Sequence, residues 1–300
     1  MLKKVKFIYN PAAGENIVTE YLDRIVELYQ QKGFSLVLYR MAFDRPPEEI
    51  TFDLDSSYHH ILIAGGDGTV NYVVNLLKNA GTDIPVAILP AGTANDFAGM
   101  LDMPADIIKA CEAVLGGEER KVDLGLVNGV WYMNVFSCGL FTDISQKTPT
   151  IVKNNFGKIA YYINGLGELP RFRKMELSIK TDGGNFEGQA LIFFVFNGRT
   201  AGSLQLAYLS EIDDGLLDVL IVKADTALDT IRTAFQYPAH SRRRKAYPEG
   251  IVHIKCSRLT ALSVRPETTD IDGQPGPEFP IDISCEAGAL RVIATKPKIR

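Results

Sequence analysis

The 300-residue sequence has few cysteines, no long apolar run and no excess of positive charge, and each absence excludes a class of protein. The four cysteines stand singly, without the paired spacing of a zinc site, so we expect reduced and mostly buried thiols. No stretch approaches the roughly 18 consecutive apolar residues of a transmembrane helix. A formal net charge of −4 argues against broad binding of nucleic acid.

The N-terminal residues also lack the apolar segment of a signal peptide, since they run directly into a strand-like pattern at 4–9. We therefore expect a cytoplasmic protein. The pair His59-His60 precedes an apolar strand and has no partner at metal-ligand spacing, which favours a structural role.

Two patterns divide the chain near residue 125. Residues 1–125 alternate strand-like and helix-like segments, which predicts a mainly parallel sheet flanked by helices. Residues 126–300 consist mostly of short β-rich runs between turn signals, which predicts an antiparallel sheet or sandwich. The expected fold class is α/β with two domains, 1–125 and 126–300, and a return of the last residues to the first domain is left open.

The predicted elements follow these patterns. In the first domain the strands are 4–9, 35–39, 60–64 and 85–89, and the helices are 19–31, 69–79, 96–101 and 104–115. In the second domain the strands are 121–127, 130–136, 175–180, 188–197, 217–222, 251–255, 260–264 and 290–295, with helices at 159–166 and 226–235.

The segment 61–77 contains the strongest local signal. An apolar run, Ile61 to Ala64, ends in Gly65-Gly66-Asp67-Gly68-Thr69, and apolar residues at helical spacing follow. This is the pattern of a buried strand, a glycine turn and a helix N-terminus, whose free N–H groups favour an anion. An aspartate at position 67 is explained if it binds a divalent cation, accepts a proton or simply caps the helix.

A second turn, Pro90-Ala-Gly-Thr-Ala-Asn-Asp96, follows one βα unit later, and Asn10-Pro-Ala-Ala-Gly14 follows the first strand. Because all three turns follow strands and precede helices, they can lie at one edge of the sheet. Backbone donors, hydroxyls and carboxylates collected there would suit a nucleotide polyphosphate with Mg²⁺.

The chain resembles bacterial lipid kinases of the diacylglycerol kinase family, which are related to sphingosine kinases. The resemblance extends over nearly the whole chain, in segments 10–14, 65–77, 90–98, 121–129, 156–166, 196–202, 212–222 and 271–277. It implies Mg²⁺-dependent transfer of the γ-phosphoryl group of ATP to a lipid hydroxyl, such as that of diacylglycerol. The first domain would bind the nucleotide and the second the lipid.

By the same resemblance, residues of the three turns would hold ATP: Asn10, Pro11, Gly14, Gly65, Gly66, Asp67, Gly68, Thr69, Thr93 and Asn95. Asp67 would organise the catalytic Mg²⁺, directly or through water. Asp214, with Glu211 and the carbonyl oxygen of Leu216, would hold a second, structural Mg²⁺.

The chain departs from the family pattern at the residue expected to be the general base. The family usually has Asp-Gly-Glu near the C-terminus, with the glutamate as general base, whereas this chain has Asp272-Gly273-Gln274. A neutral amide cannot accept a proton at pH 7. Asp67 or Asp272 could serve instead, or the base matters little, or the chain is a nucleotide- and lipid-binding regulator with little catalysis.

Two further alternatives stay open. The turn 65–69 also occurs in NAD kinases, so a soluble enzyme of that kind is a second alternative. The basic run Arg242, Arg243, Arg244 and Lys245 is either a solvated surface or a contact with the inner face of an anionic membrane. The identity of the lipid and the oligomeric state cannot be read from the sequence.

Overall fold

The computed structural model describes residues 2–42, 44–139, 174–224 and 246–295. These residues form two compact units. The first extends to Val122 and resumes at Gly288, and the second runs from Asp123 to Ala287. The mixed α/β architecture, with a parallel sheet in the first part and antiparallel strands in the second, confirms the predicted fold class.

The first unit contains a parallel sheet. Its strands are β1 (Lys3–Tyr9), β2 (Phe34–Arg40), β3 (Tyr58–Gly65) and β4 (Val86–Pro90). They lie in the order β4-β3-β1-β2, and the last described residues of the chain add a further parallel strand beside β4, with Val292 opposite Val86. Buried side chains of β1 and β3, including Phe7, Leu62 and Ile63, build its core.

Helices connect these strands. They are α1 (Ile17–Glu20), α2 (Leu22–Gln31), α3 (Asp67–Asn79), α4 (Asp96–Met100) and α5 (Ile107–Leu115), with short 3-10 helices at Ala13–Asn16 and Pro47–Ile50. None of the helices that the structure describes has both the length and the apolar composition to span a membrane.

Two predicted helices differ from the structure at their N-terminal ends. The helix expected at 19–31 is divided at Tyr21, whose φ of −99° and ψ of 4° interrupt the regular geometry. The helix expected from residue 104 begins only at Ile107, because the side chain of Asp106 caps it by accepting the main-chain N–H of Lys109.

The second unit is built from antiparallel strands. In chain order they are β5 (Glu118–Val127), β6 (Val130–Tyr132), β7 (Val135–Gly139), β8 (Met175–Thr181), β9 (Asn185–Phe196), β10 (Thr200–Ala201), β11 (Leu204–Gln205), β12 (Leu217–Lys223), β13 (Ile251–Cys256), β14 (Arg258–Ser263), β15 (Thr269–Ile271), β16 (Gln274–Pro275) and β17 (Ile281–Ala294). Strands β5 and β17 continue across the boundaries between the units.

The pairing in this unit places β9 at the centre, hydrogen-bonded to β7, β8 and β12, while β14 joins β8 to β17. The inward side chains form one apolar cluster that includes Phe136, Phe193 and Val219. Strand β12 pairs on its other side with β13, with Asp218 directly opposite Lys255.

The structure corrects two predicted strands of this unit. The strand expected at 130–136 is divided at Met133 and Asn134, because their N–H groups bond to the carboxylate of Asp272 and not to a neighbouring strand. The strand expected at 290–295 is the end of β17, which begins at Ile281. The helices expected at 159–166 and 226–235 lie outside the described residues.

The four cysteines are free thiols; Cys111, Cys138 and Cys256 are buried and Cys285 is partly buried. Burial raises the pKa values of Cys111, Cys256 and Cys285 to about 12. These three thiols are therefore protonated at neutral pH and unsuited to nucleophilic chemistry.

The histidine pair is part of the core of the first unit. His60 is 1% exposed, and its ring lies 3.1 Å from the hydroxyl of Tyr29 and 2.9 Å from the ring of His59, measured between the bonding atoms. Burial, followed by the neighbouring His59, lowers the pKa of His60 to about 3. His60 is thus a neutral structural side chain.

We expect the substitution His60→Gln to remove part of the acid sensitivity of folding. Below the ordinary histidine pKa of 6.5 the unfolded chain binds a proton that the folded chain does not bind until about pH 3. Stability therefore falls as the pH decreases through this window, and His60 contributes a loss of about 2 kcal/mol between pH 7 and pH 5.

Urea unfolding of the full chain at these two pH values measures this contribution. The variant should lose about 2 kcal/mol less than the wild type on acidification. The control His59→Gln, which replaces an exposed ring, should change the pH dependence of the free energy of unfolding less than His60→Gln does. An identical pH dependence in wild type and His60→Gln would contradict the assignment.

Candidate active site

Three turns meet at the carboxyl ends of β1, β3 and β4 in the first unit. The side-chain amide of Asn10 donates to the hydroxyl of Thr69 at 3.0 Å, and the N–H of Ala91 donates to the carbonyl oxygen of Gly65 at 3.0 Å. Each bond joins turns that are far apart in sequence. The predicted juxtaposition at one sheet edge is present in the structure.

Glycines allow these turns to approach until their backbones touch. A Cβ atom added to Gly92 would lie 2.4 Å from the Cα of Gly66, and one added to Gly14 would lie 2.3 Å from the carbonyl oxygen of Ala91. Gly14 also has a φ of +54°, which residues with side chains rarely adopt. The close contact between the turns therefore depends on the absence of side chains at these positions.

Asp67 links two of the turns through its side chain. It is the first residue of α3, and one carboxylate oxygen accepts the main-chain N–H of Phe97, in the first turn of α4, at 3.1 Å. The sequence permitted a capping role toward its own helix, whereas the carboxylate caps the neighbouring one. Within the described part of the chain, the second oxygen accepts no hydrogen bond, so it is available to a cation or a donor.

The asparagines of the predicted site shape its turns. The side-chain oxygen of Asn10 accepts the N–H of Ala12 at 3.0 Å, in addition to the bond to Thr69. The amide group of Asn95 bonds both the N–H and the carbonyl oxygen of Gly92, at 2.8 and 2.9 Å. Both side chains are thus occupied in fixing the conformation of the turns.

The remaining predicted residues of the turns differ in exposure. Gly14, Gly68 and Thr93 are exposed, Pro11 and Gly66 are half-buried, and Gly65 and Thr69 are buried. A ligand can therefore reach Gly68 and Thr93 directly. Thr69 is buried, and its hydroxyl group stabilises the turn by accepting the hydrogen bond from Asn10.

Asp272 belongs to the second unit and has a positive φ of 48°. Its carboxylate accepts three consecutive main-chain N–H groups, those of Met133 at 2.7 Å, Asn134 at 3.0 Å and Val135 at 2.8 Å. Because both oxygens are used in this way, the geometry favours a structural role for Asp272 over that of a proton acceptor. Gln274, in β16, is exposed.

The two carboxylates expected to hold a second metal are each paired with a basic side chain. Asp214 lies 2.5 Å from the ammonium group of Lys255, and Glu211 lies 2.6 Å from the guanidinium group of Arg199. In the ranges that the structure describes, no group of three or more His, Cys, Asp and Glu side chains is placed to bind a metal ion. The basic run Arg242, Arg243, Arg244 and Lys245 lies outside the described residues.

Sequence reasoning missed Lys255. Burial lowers its pKa, but the hydrogen bond to Asp214 and the charges of Asp218, Asp214 and Glu211 outweigh burial, so that the pKa is raised. The available signal was a lysine in a β-rich run, which is too common to single out. Its pairing with Asp214 depends on the register of β12 and β13.

Two protein-family models match the two parts of the chain. The model of the diacylglycerol kinase catalytic domain matches residues 4–127. The model described as the YegS C-terminal NAD kinase beta sandwich-like domain matches residues 135–294.

Curated relatives match over most of their length. The diacylglycerol kinase of Bacillus subtilis (strain 168) is 30% identical over 304 residues, covering 99% of this chain and 98% of that protein. That of Staphylococcus aureus (strain bovine RF122 / ET3-1) is 32% identical over 285 residues, with coverages of 93% and 89%. A crystal structure from Bacillus anthracis str. Sterne, provisionally named a diacylglycerol kinase, has a TM-score of 0.83 and 25% identity and covers 98% of this chain and 96% of its own.

The residues matched by the catalytic-domain model include all three joined turns, and the relatives match both units of the fold. The chain therefore belongs to the diacylglycerol kinase family.

Proposed function

We propose that this chain is a lipid kinase that transfers the γ-phosphoryl group of ATP to a lipid hydroxyl, such as that of diacylglycerol, in the presence of Mg²⁺. The observation that carries the proposal is the set of three joined turns, with Asp67 between them, in a chain whose named relatives are diacylglycerol kinases.

The geometry of the turns fits a polyphosphate. Helix α3 has 13 residues, and its N-cap residue, Gly66, has no side chain that could cap the N-terminal N–H groups. Such groups and the helix dipole favour an anion. Gly68 is exposed and carries no side chain, so a phosphate oxygen can approach the main chain closely there.

Asp67 is the residue that fits a cation. One of its oxygens is fixed by Phe97, so the other is held in a constant direction, and Mg²⁺ prefers carboxylate oxygen together with phosphate. When bound, Mg²⁺ would neutralise charge on the phosphate oxygens during transfer. The main-chain donors of the turns would supply the remaining stabilisation, because phosphoryl transfer depends mainly on positioning and charge.

The acceptor is proposed to be a lipid because the named relatives are diacylglycerol kinases and their likeness extends through the second unit. A soluble acceptor, as in an NAD kinase, is the competing outcome. A peripheral contact with the membrane would bring the enzyme to its substrate.

A second candidate function follows from residues 272–274. Asp272 is engaged by three main-chain N–H groups, and Gln274 is a neutral amide. If the family reaction needs a carboxylate at position 274, this chain would bind nucleotide and lipid as a regulator without efficient turnover.

The direct test is transfer of labelled γ-phosphate from ATP to lipid hydroxyls in mixed micelles, with Mg²⁺ and a parallel EDTA control. The panel contains diacylglycerol, phosphatidylglycerol, a sphingoid base, a prenol and NAD as a soluble acceptor. We expect a labelled lipid that requires Mg²⁺. Label in NAD alone, or no product while ATP binding is intact, would contradict the proposal.

In this assay we expect Asp67→Asn to lose activity at least about a hundredfold, since the charge is lost while the acceptor for the Phe97 N–H is kept. Asp67→Ala should also lower stability by about 2 kcal/mol, because that N–H loses its charged partner. The matched control is Asp106→Asn, another helix-capping aspartate, which should leave transfer unchanged. Wild-type turnover in Asp67→Asn would exclude the assigned role.

The substitution Gln274→Glu separates the two candidate functions. If positioning and charge stabilisation dominate, as we propose, the added carboxylate should change the rate by less than about tenfold. General base catalysis is typically worth 10² to 10⁴-fold, so a gain of about a hundredfold would favour the regulator. Single-turnover rates on the best lipid of the panel provide the measurement.

A further inference from the structure

The turn before β12 is rich in acidic residues, and one lysine lies among them. Within residues 211–218 the chain carries Glu211, Asp213, Asp214 and Asp218. Asp214 has both oxygens engaged: one accepts the N–H of Leu216 at 3.0 Å, and the other lies 2.5 Å from the Nζ of Lys255. The carboxylate expected to be the main ligand of a structural metal is therefore already bonded to a cation.

Glu211 is engaged in a similar way. Its Oε2 accepts a hydrogen bond from Arg199 at 2.6 Å, and the Nε of Arg199 donates to the carbonyl oxygen of Ser210, also at 2.6 Å. Arg199 thus bonds two adjacent residues at once. The two carboxylates expected to share one metal are each held by a different basic side chain.

Lys255 is placed at the turn by the register of the sheet. It lies directly opposite Asp218, which is fully buried. One oxygen of Asp218 is 2.5 Å from the ring of His253, while the other accepts no hydrogen bond and lies 3.8 Å from the Nζ of Lys255. A buried carboxylate is costly unless a positive charge compensates it, and Lys255 supplies that charge.

We propose that the ammonium group of Lys255 is the resident cation of this turn, in the place where the family resemblance implied Mg²⁺. A Mg²⁺ ion bound to Asp214 would lie about 2.1 Å from an oxygen of the same carboxylate that contacts Lys255 at 2.5 Å. Two cations that close repel each other strongly, so the ammonium group and the metal exclude one another. The fold of the second unit is then independent of divalent cations.

The same geometry predicts what removal of the lysine would do. Without the ammonium group, the carboxylate of Asp214 loses its counter-charge and regains a free oxygen, next to the backbone of Leu216. Hard oxygen ligands of this kind suit Mg²⁺ and Ca²⁺. Lys255→Met should therefore convert the turn into a site that requires a divalent cation.

Thermal unfolding of the nucleotide-free full chain, in EDTA and in millimolar Mg²⁺ or Ca²⁺, tests this inference without any activity measurement. The Tm of the wild type should be the same in all three conditions. The Tm of Lys255→Met should fall by about 5 °C or more in EDTA, and either ion should restore at least about half of the loss.

Two controls define the site. Lys180→Met, which removes an exposed lysine of β8, should resemble the wild type. In the double variant Lys255→Met/Asp214→Asn neither ion should raise the Tm.

The inference is overturned by either of two results. One is that Mg²⁺ or Ca²⁺ raises the wild-type Tm and Asp214→Asn abolishes that rise; the other is that neither ion restores the Tm of Lys255→Met. The wild-type titration decides the question even if Lys255→Met fails to fold.

Discussion

The hydrogen bond from the N–H of Phe97 to Asp67 is the contact on which the candidate active site depends. It joins the turn after β3 to the helix after β4 and leaves one carboxylate oxygen in a fixed direction. A bond to a charged acceptor contributes roughly 1.5–3 kcal/mol. The bond between Asn10 and Thr69 joins the third turn to the other two, and the glycines allow the turns to pack in direct backbone contact. One aspartate can therefore order the site and still offer an oxygen to a ligand.

Carboxylates of the second unit stabilise its fold by accepting main-chain hydrogen bonds or by pairing with a lysine. The carboxylate of Asp272 accepts hydrogen bonds from three main-chain N–H groups, and the buried carboxylate of Asp123 accepts the N–H of Gly215 at 2.7 Å. Asp214 and Asp218 share the charge of Lys255. Each of these carboxylates has partners in the fold that explain its presence structurally, including Asp214 and Asp272, to which the family resemblance assigns chemical roles. Asp67 differs from them in that one of its oxygens is fixed by a single main-chain N–H.

The sequence predicted the parallel sheet, the three turns and their common edge, because strand and helix periodicities and glycine turns are local signals. It could not predict which atoms bond within the site. The sequence allows Asp67 to cap its own helix, and only the spacing of β3 and β4 directs it to Phe97. The division of the strand at Met133 depends on Asp272, which is 139 residues away. The pairing of Lys255 with Asp214 likewise follows from strand register.

An amide NMR titration of the isotopically labelled chain with ATP and Mg²⁺ would show directly whether the three turns bind the nucleotide. We expect the largest chemical-shift changes in the three turns, at the N–H groups of Gly14, Gly68 and Thr93 and their neighbours, and we expect Asp67→Asn to reduce these changes. Large changes elsewhere, with these three amides unaffected at saturating nucleotide, would contradict the claim that the joined turns hold the polyphosphate.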